Sequence, residues 1–87
     1  MIYAILLDTQ LEKKIARLRN KDKKTNERVI NKMIVLSQNP YEGKPLRKVM
    51  KGKWRVHIGS FVLIYKIDEA AKTITFLDFA HHDDAYK

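Results

Sequence analysis

Cysteine is absent from this sequence, glycine occurs three times and proline twice. Without cysteine there is no disulfide, no thiolate metal site and no thiol nucleophile. The three glycines, at positions 43, 52 and 59, do not form the glycine-rich loop that cradles a nucleotide phosphate. There is no paired-carboxylate arrangement and no serine-centred motif. No apolar run approaches the ~20 residues that a membrane-spanning helix needs. The opening stretch Met1-Ile2-Tyr3-Ala4-Ile5-Leu6-Leu7 reaches Asp8 with no basic region before it and no small-residue cleavage site after it, so it does not read as a signal peptide. These absences together lead to the expectation of a soluble, cytoplasmic chain.

Acidic residues are also scarce. Ten Asp and Glu stand against eighteen Lys and Arg, a formal net charge of +8. Such an excess attracts polyanions and speeds encounter with them, which points to nucleic acid or to an acidic partner. At 87 residues the chain makes one domain, residues 1–87. A chain this short buries only roughly 60–65% of its unfolded surface, so its core is small.

The hydrophobic pattern predicts an α+β order. Tyr3 to Leu7 reads as a strand. Thr9-Gln10-Leu11-Glu12 reads as a capping box opening a helix from about Gln10 to Asn20, with Leu11, Ile15 and Leu18 on one stripe. Asp22 is positioned to cap a second helix running to about Gln38, whose apolar positions are Val29, Ile30, Met33, Ile34 and Leu36. Asn39-Pro40 ends it, because proline cannot continue a helix and disfavours the α conformation before it. The short turn makes the two helices an antiparallel hairpin. Tyr41 to Met50 is expected to be a connector. Lys53-Trp54-Arg55-Val56-His57-Ile58 then alternates polar and apolar, Gly59-Ser60 makes a turn, and Phe61 to Ile67 and Thr73 to Phe79 supply two more strands. These three strands should pair as an antiparallel meander. The helices should pack on the face made by Trp54, Val56, Ile58, Phe61, Leu63, Tyr65 and Ile67.

Candidate chemistry gathers in two places. Lys44, Arg47, Lys48, Lys51, Lys53 and Arg55 occur with no acid between Lys44 and His57. Alternation sends Lys53, Arg55 and His57 to the face away from the helices, where they would form an open cationic row suited to phosphate. The plainer reading is a solvated strand face. The second place is His81-His82-Asp83-Asp84-Ala85-Tyr86, where either histidine is able to act as general acid or base because imidazole titrates near neutrality. A zinc reading from His57, His81 and Asp83 is available, but the spacing matches no recognised zinc pattern. No metal or other cofactor is expected.

Taken in order, these residues resemble the RelE/ParE toxin superfamily. The resemblance is carried by the opening strand, the helical hairpin ending in Asn39-Pro40, the link Gly43-Lys44-Pro45-Leu46, the run Gly52-Lys53-Trp54-Arg55-Val56-His57-Ile58-Gly59, the strand Phe61-Val62-Leu63-Ile64-Tyr65 and the ending from His81 to Tyr86. It covers nearly the whole chain. It implies the toxic half of a toxin–antitoxin pair, held by an acidic antitoxin in a hetero-oligomer.

RelE-like members cut messenger RNA on the ribosome by attack of the RNA 2′-hydroxyl on the adjacent phosphate, without metal. ParE-like members inhibit DNA gyrase without that chemistry. By position, Arg55 and His57 match the basic residues on the first active strand of the nuclease, with Lys53 beside them as a further cation for the scissile phosphate, and Tyr86 matches its terminal tyrosine. His81 matches a histidine often found before that tyrosine, and His82 stands where many members carry arginine. Val62 departs from the pattern, because RelE-like members commonly have arginine there. Lys13, Lys14, Arg17, Lys21, Lys23 and Lys24 on the helices are expected to meet ribosomal RNA, along with Lys44, Arg47, Lys48 and Lys51 on the connector. The histidines favour a ribosome-dependent messenger RNA endoribonuclease. The alternatives are a gyrase inhibitor and a binding-only relative that has lost toxicity.

Overall fold

The computed structural model describes residues 2–84. The element order is β1 (Ala4–Leu7), α1 (Thr9–Lys21), α2 (Lys23–Gln38), a 3-10 turn (Pro40–Glu42), β2 (Lys44–Pro45), a second 3-10 turn (Lys48–Met50), β3 (Trp54–Ile58), β4 (Phe61–Asp68) and β5 (Thr73–His81). The expected α+β architecture, with an N-terminal strand, a helical hairpin and a three-stranded antiparallel meander, is the one observed.

Side-chain caps delimit the helices. Asp8, with extended backbone, accepts from the Gln10 N–H at 2.9 Å and is the N-cap of α1. This corrects the Thr9–Glu12 capping box: Thr9 is already the first helical residue, because the carboxylate before it satisfies a free N–H of the first turn. Asp22 caps α2 as expected, accepting from the Thr25 N–H at 3.1 Å and from its hydroxyl at 2.6 Å. Those bonds from Thr25 hold the Asp22 carboxyl below its ordinary range. Buried Asn26 ties the helices together by donating its side-chain amide to the Ile15 carbonyl at 3.1 Å.

The sheet has five strands in the order β1-β5-β4-β3-β2. The meander pairs as alternation predicts, with Trp54 opposite Tyr65, Val56 opposite Leu63 and Ile58 opposite Phe61. The chain termini add a pairing with no local signal: β1 lies parallel to β5, Ile5 opposite Ile74 and Leu7 opposite Phe76. The connector is not wholly irregular either. Lys44 pairs with Arg55 and Pro45 with Trp54, a short antiparallel edge. A bulge at Ile64/Tyr65 sets Asp78 opposite Ile64 and Phe76 opposite Tyr65, leaving Leu77 as the extra residue.

The main core lies between the helices and one sheet face. Leu11, Val29, Met33 and Leu36 meet Ile58, Leu63, Tyr65, Ile74, Phe76 and Phe79, with Trp54, Val56, Phe61, Ile67, Ile15 and Leu18 packed around them. This is the predicted apolar face. The stripe on α2 is narrower than predicted, since Ile30 and Ile34 remain exposed. The opposite sheet face is not open throughout. Val62 and Ile64 are buried there beneath Leu46 and Met50 of the connector, with Leu77 and Ala80 beside them. The polar row expected on that face is therefore interrupted by a second, smaller apolar cluster. Lys53 and Arg55 are half-buried, and of the three only His57 is exposed.

Candidate nucleic-acid interface

Strand alternation places Arg55 and His57 on the same side of β3. Because β2 pairs with β3 no further than Arg55, the outer edge of β3 beyond that point has no strand beside it among the described residues. Nη1 of Arg55 lies against Nε2 of His57. A guanidinium has only donors, so Nε2 of His57 accepts, which assigns the ring proton to Nδ1. His57 stands where two clefts meet. One, of about 350 Å³, is lined by Arg28, Asn31, Lys32, Val35 and Ile58; the other, of about 300 Å³, by Glu42, Gly43, Lys44, Arg55 and Val56. The single carboxylate among these residues, Glu42, sits 3.8 Å from Lys32.

A second basic surface lies on the sheet face away from the main core. Lys53 and Lys66 line an open groove of about 740 Å³ with Lys14, Met50, Ile64 and Leu77. One step beyond the Trp54–Tyr65 pair, the β3/β4 register sets Lys53 across from Lys66. Like charges directly opposed across strands destabilise a sheet, so the pair favours an anion between them. Of the groove's two carboxylates, Asp78 is held by Lys14 at 2.6 Å and Asp8 caps α1. Neither lysine of the pair has a carboxylate partner among the described residues.

The expected site residues divide among these surfaces. Lys53 belongs to the groove; Arg55, His57 and Lys44 belong to the β3 edge. Arg47, Lys48 and Lys51 are exposed on the connector, and Lys13, Arg17, Lys21, Lys23 and Lys24 are exposed on the helices. Lys14 is engaged internally by Asp78 and by the Phe79 carbonyl at 3.3 Å. The three histidines do not converge. His57 pairs with Val62, whereas His81 pairs with Phe61 and so emerges on the opposite face, its ring edge-on to that of Phe61 at 5.8 Å. The candidate zinc set His57, His81 and Asp83 is accordingly not assembled. His81 instead neighbours His82, with ring centroids 4.6 Å apart. Tyr86 lies outside the described residues.

Three cations of these surfaces were not singled out from sequence. Arg28 and Lys32 reach the β3 edge from α2, where i, i+4 spacing puts them on one helical face. Arg28 also lies beside the β3–β4 turn, near Gly59. Lys66 was legible from alternation, since it shares the face of Val62 and Ile64.

At the other end of the sheet, Glu69 in the β4–β5 turn accepts from the Tyr3 hydroxyl at 2.6 Å, from Lys72 at 3.0 Å and from the Tyr41 hydroxyl. Hydrogen bonds from Tyr3 and then Lys72 hold its carboxyl below the ordinary range. This cluster ties the N-terminal strand and the connector to the β4–β5 turn, and it is separate from the basic surfaces.

The fold has known counterparts. Residues 5–86 match the family described as the ParE toxin of type II toxin–antitoxin systems, parDE. A protein of Methanocaldococcus jannaschii named as toxin RelE4 is 41% identical over 87 residues, covering 99% of this chain and 93% of the relative. The toxin–antitoxin complex RelBE2 of Mycobacterium tuberculosis contains a chain that superposes with a TM-score of 0.83 at 26% identity, covering 97% of this chain and 95% of that one. The archaeal RelE–RelB complex of Pyrococcus horikoshii gives a TM-score of 0.78 at 20% identity, covering 98% and 100%. On the family match and the full-length relative, the chain belongs to the ParE toxin family of type II toxin–antitoxin systems.

Proposed function

We propose that this toxin is a ribosome-dependent messenger RNA endoribonuclease working by attack of an RNA 2′-hydroxyl on the neighbouring phosphate. The observation that carries the reading is the contact of Arg55 with His57 on an edge strand bordered by Arg28, Lys32 and Lys44. Arriving phosphate draws the Arg55 guanidinium onto its non-bridging oxygens, a charge-assisted arrangement the planar fork favours. Nε2 of His57 is thereby released and takes the 2′-hydroxyl proton. The 2′-oxygen bonds to phosphorus, the bond to the 5′-oxygen breaks, and that oxygen leaves with a proton from an acid. The products are a 2′,3′-cyclic phosphate and a 5′-hydroxyl. Lys53 and Lys66 hold a phosphate of the strand in the groove, and exposed lysines of both helices and the connector meet ribosomal RNA.

Val62 removes the cation that the resemblance places at this position. Losing one well-placed transition-state partner costs about 10²–10³ in rate. Arg55, Lys53 and Lys66 are cations on that face able to offset it. An acidic antitoxin segment is the natural inhibitor, since it would neutralise the same cations. The tuberculosis neighbour is described as a toxin–antitoxin complex and the Pyrococcus one as a RelE–RelB complex.

Gyrase inhibition is the second reading. It gains from the separation of His57 and His81, because a pure binding surface needs no convergent acid and base. Primer extension on a messenger RNA, with and without ribosomes stalled on it, separates the two. Cuts that require ribosomes, and that fall by about 10²–10⁴ in His57→Gln, are expected. Intact messenger RNA together with blocked gyrase supercoiling would replace this reading with the second.

A further inference from the structure

The end of β5 carries a cluster that the proposed cleavage does not explain. His81 Nδ1 lies 3.4 Å from one carboxylate oxygen of Asp83, and His82 Nε2 lies 3.0 Å from the other. One ligand atom from each of the three residues falls within 4.8 Å of the others. We propose that His81, His82 and Asp83 form a binding site for a divalent transition-metal ion, zinc being the best fit.

The chemistry of the set is the first argument. Two imidazoles and one carboxylate are a ligand combination used by open, three-ligand zinc sites, with a fourth position left to water. In a tetrahedral site with bonds near 2.0–2.1 Å, ligand atoms stand about 3.4 Å apart. The two histidine–aspartate distances, 3.4 and 3.0 Å, run to different oxygens of Asp83, so a rotation of that exposed carboxylate brings one oxygen to both nitrogens. The histidine–histidine edge must shorten by at most about 1.4 Å, within reach of side-chain rotation in two groups open to solvent.

The second argument is orientation. Nδ1 of His82 lies 3.2 Å from the Ser60 carbonyl oxygen. A carbonyl only accepts, so Nδ1 carries a proton, and Nε2 is the nitrogen left facing Asp83, where a zinc ion would stand in place of a proton. A ligating histidine typically donates its other ring N–H to a backbone carbonyl in this way, which fixes tautomer and ring direction. The Asp83 N–H donates to His81 Nδ1 at 3.3 Å, so that nitrogen carries a lone pair, which a bound ion would take over from the N–H. The backbone beneath is fixed at two points. The His82 N–H donates to Ser60 at 3.0 Å and the Asp84 N–H to His81 at 2.8 Å.

An ion held here ties the end of β5 to the β3–β4 turn through Ser60. It also takes both lone pairs out of proton transfer, so zinc would slow cleavage wherever His81 or His82 serves as the acid. That consequence rests on the nuclease reading; the binding does not, and its test reads binding alone.

The test is isothermal titration of the full chain, freed of any affinity tag, with zinc chloride, paralleled by cobalt(II) titration followed by visible absorption. One ion per chain, a tetrahedral cobalt spectrum, and affinity lowered about tenfold or more in His82→Gln and in Asp83→Asn support the site. His57→Gln should bind as the parent does, and circular dichroism should show each variant folded. No saturable binding overturns the proposal, as does binding that Asp83→Asn and His82→Gln leave unchanged or that His57→Gln weakens equally.

Discussion

Adding one methyl group at Gly43 tests how β3 is held in place. Gly43 has φ −76° and ψ −168°, a backbone any residue adopts, so alanine there meets no conformational penalty. Its Cβ would overlap the Tyr65 hydroxyl oxygen and the Arg55 carbonyl oxygen, with the Arg55 carbonyl carbon 3.2 Å away. The hydroxyl belongs to a fully buried side chain and donates to the Pro40 carbonyl at 2.8 Å. The Arg55 carbonyl is backbone and moves only if β3 moves. Overpacking of this kind costs about 1–3 kcal/mol. If the tyrosine yields, the Pro40 carbonyl loses its partner at about 1–3 kcal/mol more. A domain of this size has roughly 4–13 kcal/mol in total, and each kcal/mol shifts Tm by about 4–8 °C.

Gly43→Ala should therefore lower Tm by about 4–24 °C, more if the Tyr65–Pro40 hydrogen bond is lost, and the urea midpoint should fall with little change in slope. Gly52→Ala is the control. Gly52 has φ +92° with nothing within 4 Å of a built Cβ, so its penalty is conformational and asparagine should recover part of it. Asparagine at position 43 should recover nothing. A Gly43→Ala protein melting within about 2 °C of the parent would refute the close approach of the connector to β3.

Three further outcomes follow from the same geometry. Lys53→Ala/Lys66→Ala should reduce the slope of log affinity against log salt on single-stranded RNA by about 1.4, as each phosphate contact contributes about 0.7; an unchanged slope in a salt titration would remove the groove from the interface. Val62→Arg should destabilise the protein by about 3 kcal/mol in chemical denaturation, because Val62 is fully buried beneath Leu46 and Met50 and an arginine there must displace them or bury its charge. Glu69 is the group to follow by pH. Hydrogen bonds from Tyr3 and Lys72 depress its folded carboxyl, so its stabilisation is complete above the ordinary carboxylate range and is lost as pH falls through the folded value. Tm measured from neutral to acid pH should fall less steeply in Glu69→Gln than in the parent.

Much of this protein was decided within short stretches of chain. The Leu11, Ile15, Leu18 stripe and the Lys53–Ile58 alternation are consequences of the 3.6 and 2.0 side-chain periods, which need no knowledge of the partner. They were enough to assign the face that meets the helices, the helical hairpin and the cationic character of β3. Asp22 and Asn39-Pro40 marked the helix ends for equally local reasons. The Thr9–Glu12 box failed because an acceptor one residue earlier, Asp8, competes for the same free N–H groups and is seated to win. The resemblance, spread over the whole chain, supplied the family.

What remained was decided by contacts between distant residues. Parallel pairing of β1 with β5 and the edge pairing of Lys44 with Arg55 depend on chain segments meeting across the fold, and no local period encodes them. Whether Val62 faces solvent or a cover depends on where Leu46 and Met50 come to rest, and they rest on it. The same holds for chemistry. Lys53 has Lys66 beside it because of strand register. Arg28 and Lys32 join the β3 edge because α2 packs there. His57 and His81 part because their strands' register gives them opposite faces, while His82 gains the Ser60 carbonyl that aims its ring at Asp83. The chain alone determined which groups it had and how each stretch would coil or extend. Only tertiary structure decided which groups became neighbours, because register and packing are properties of pairs of segments.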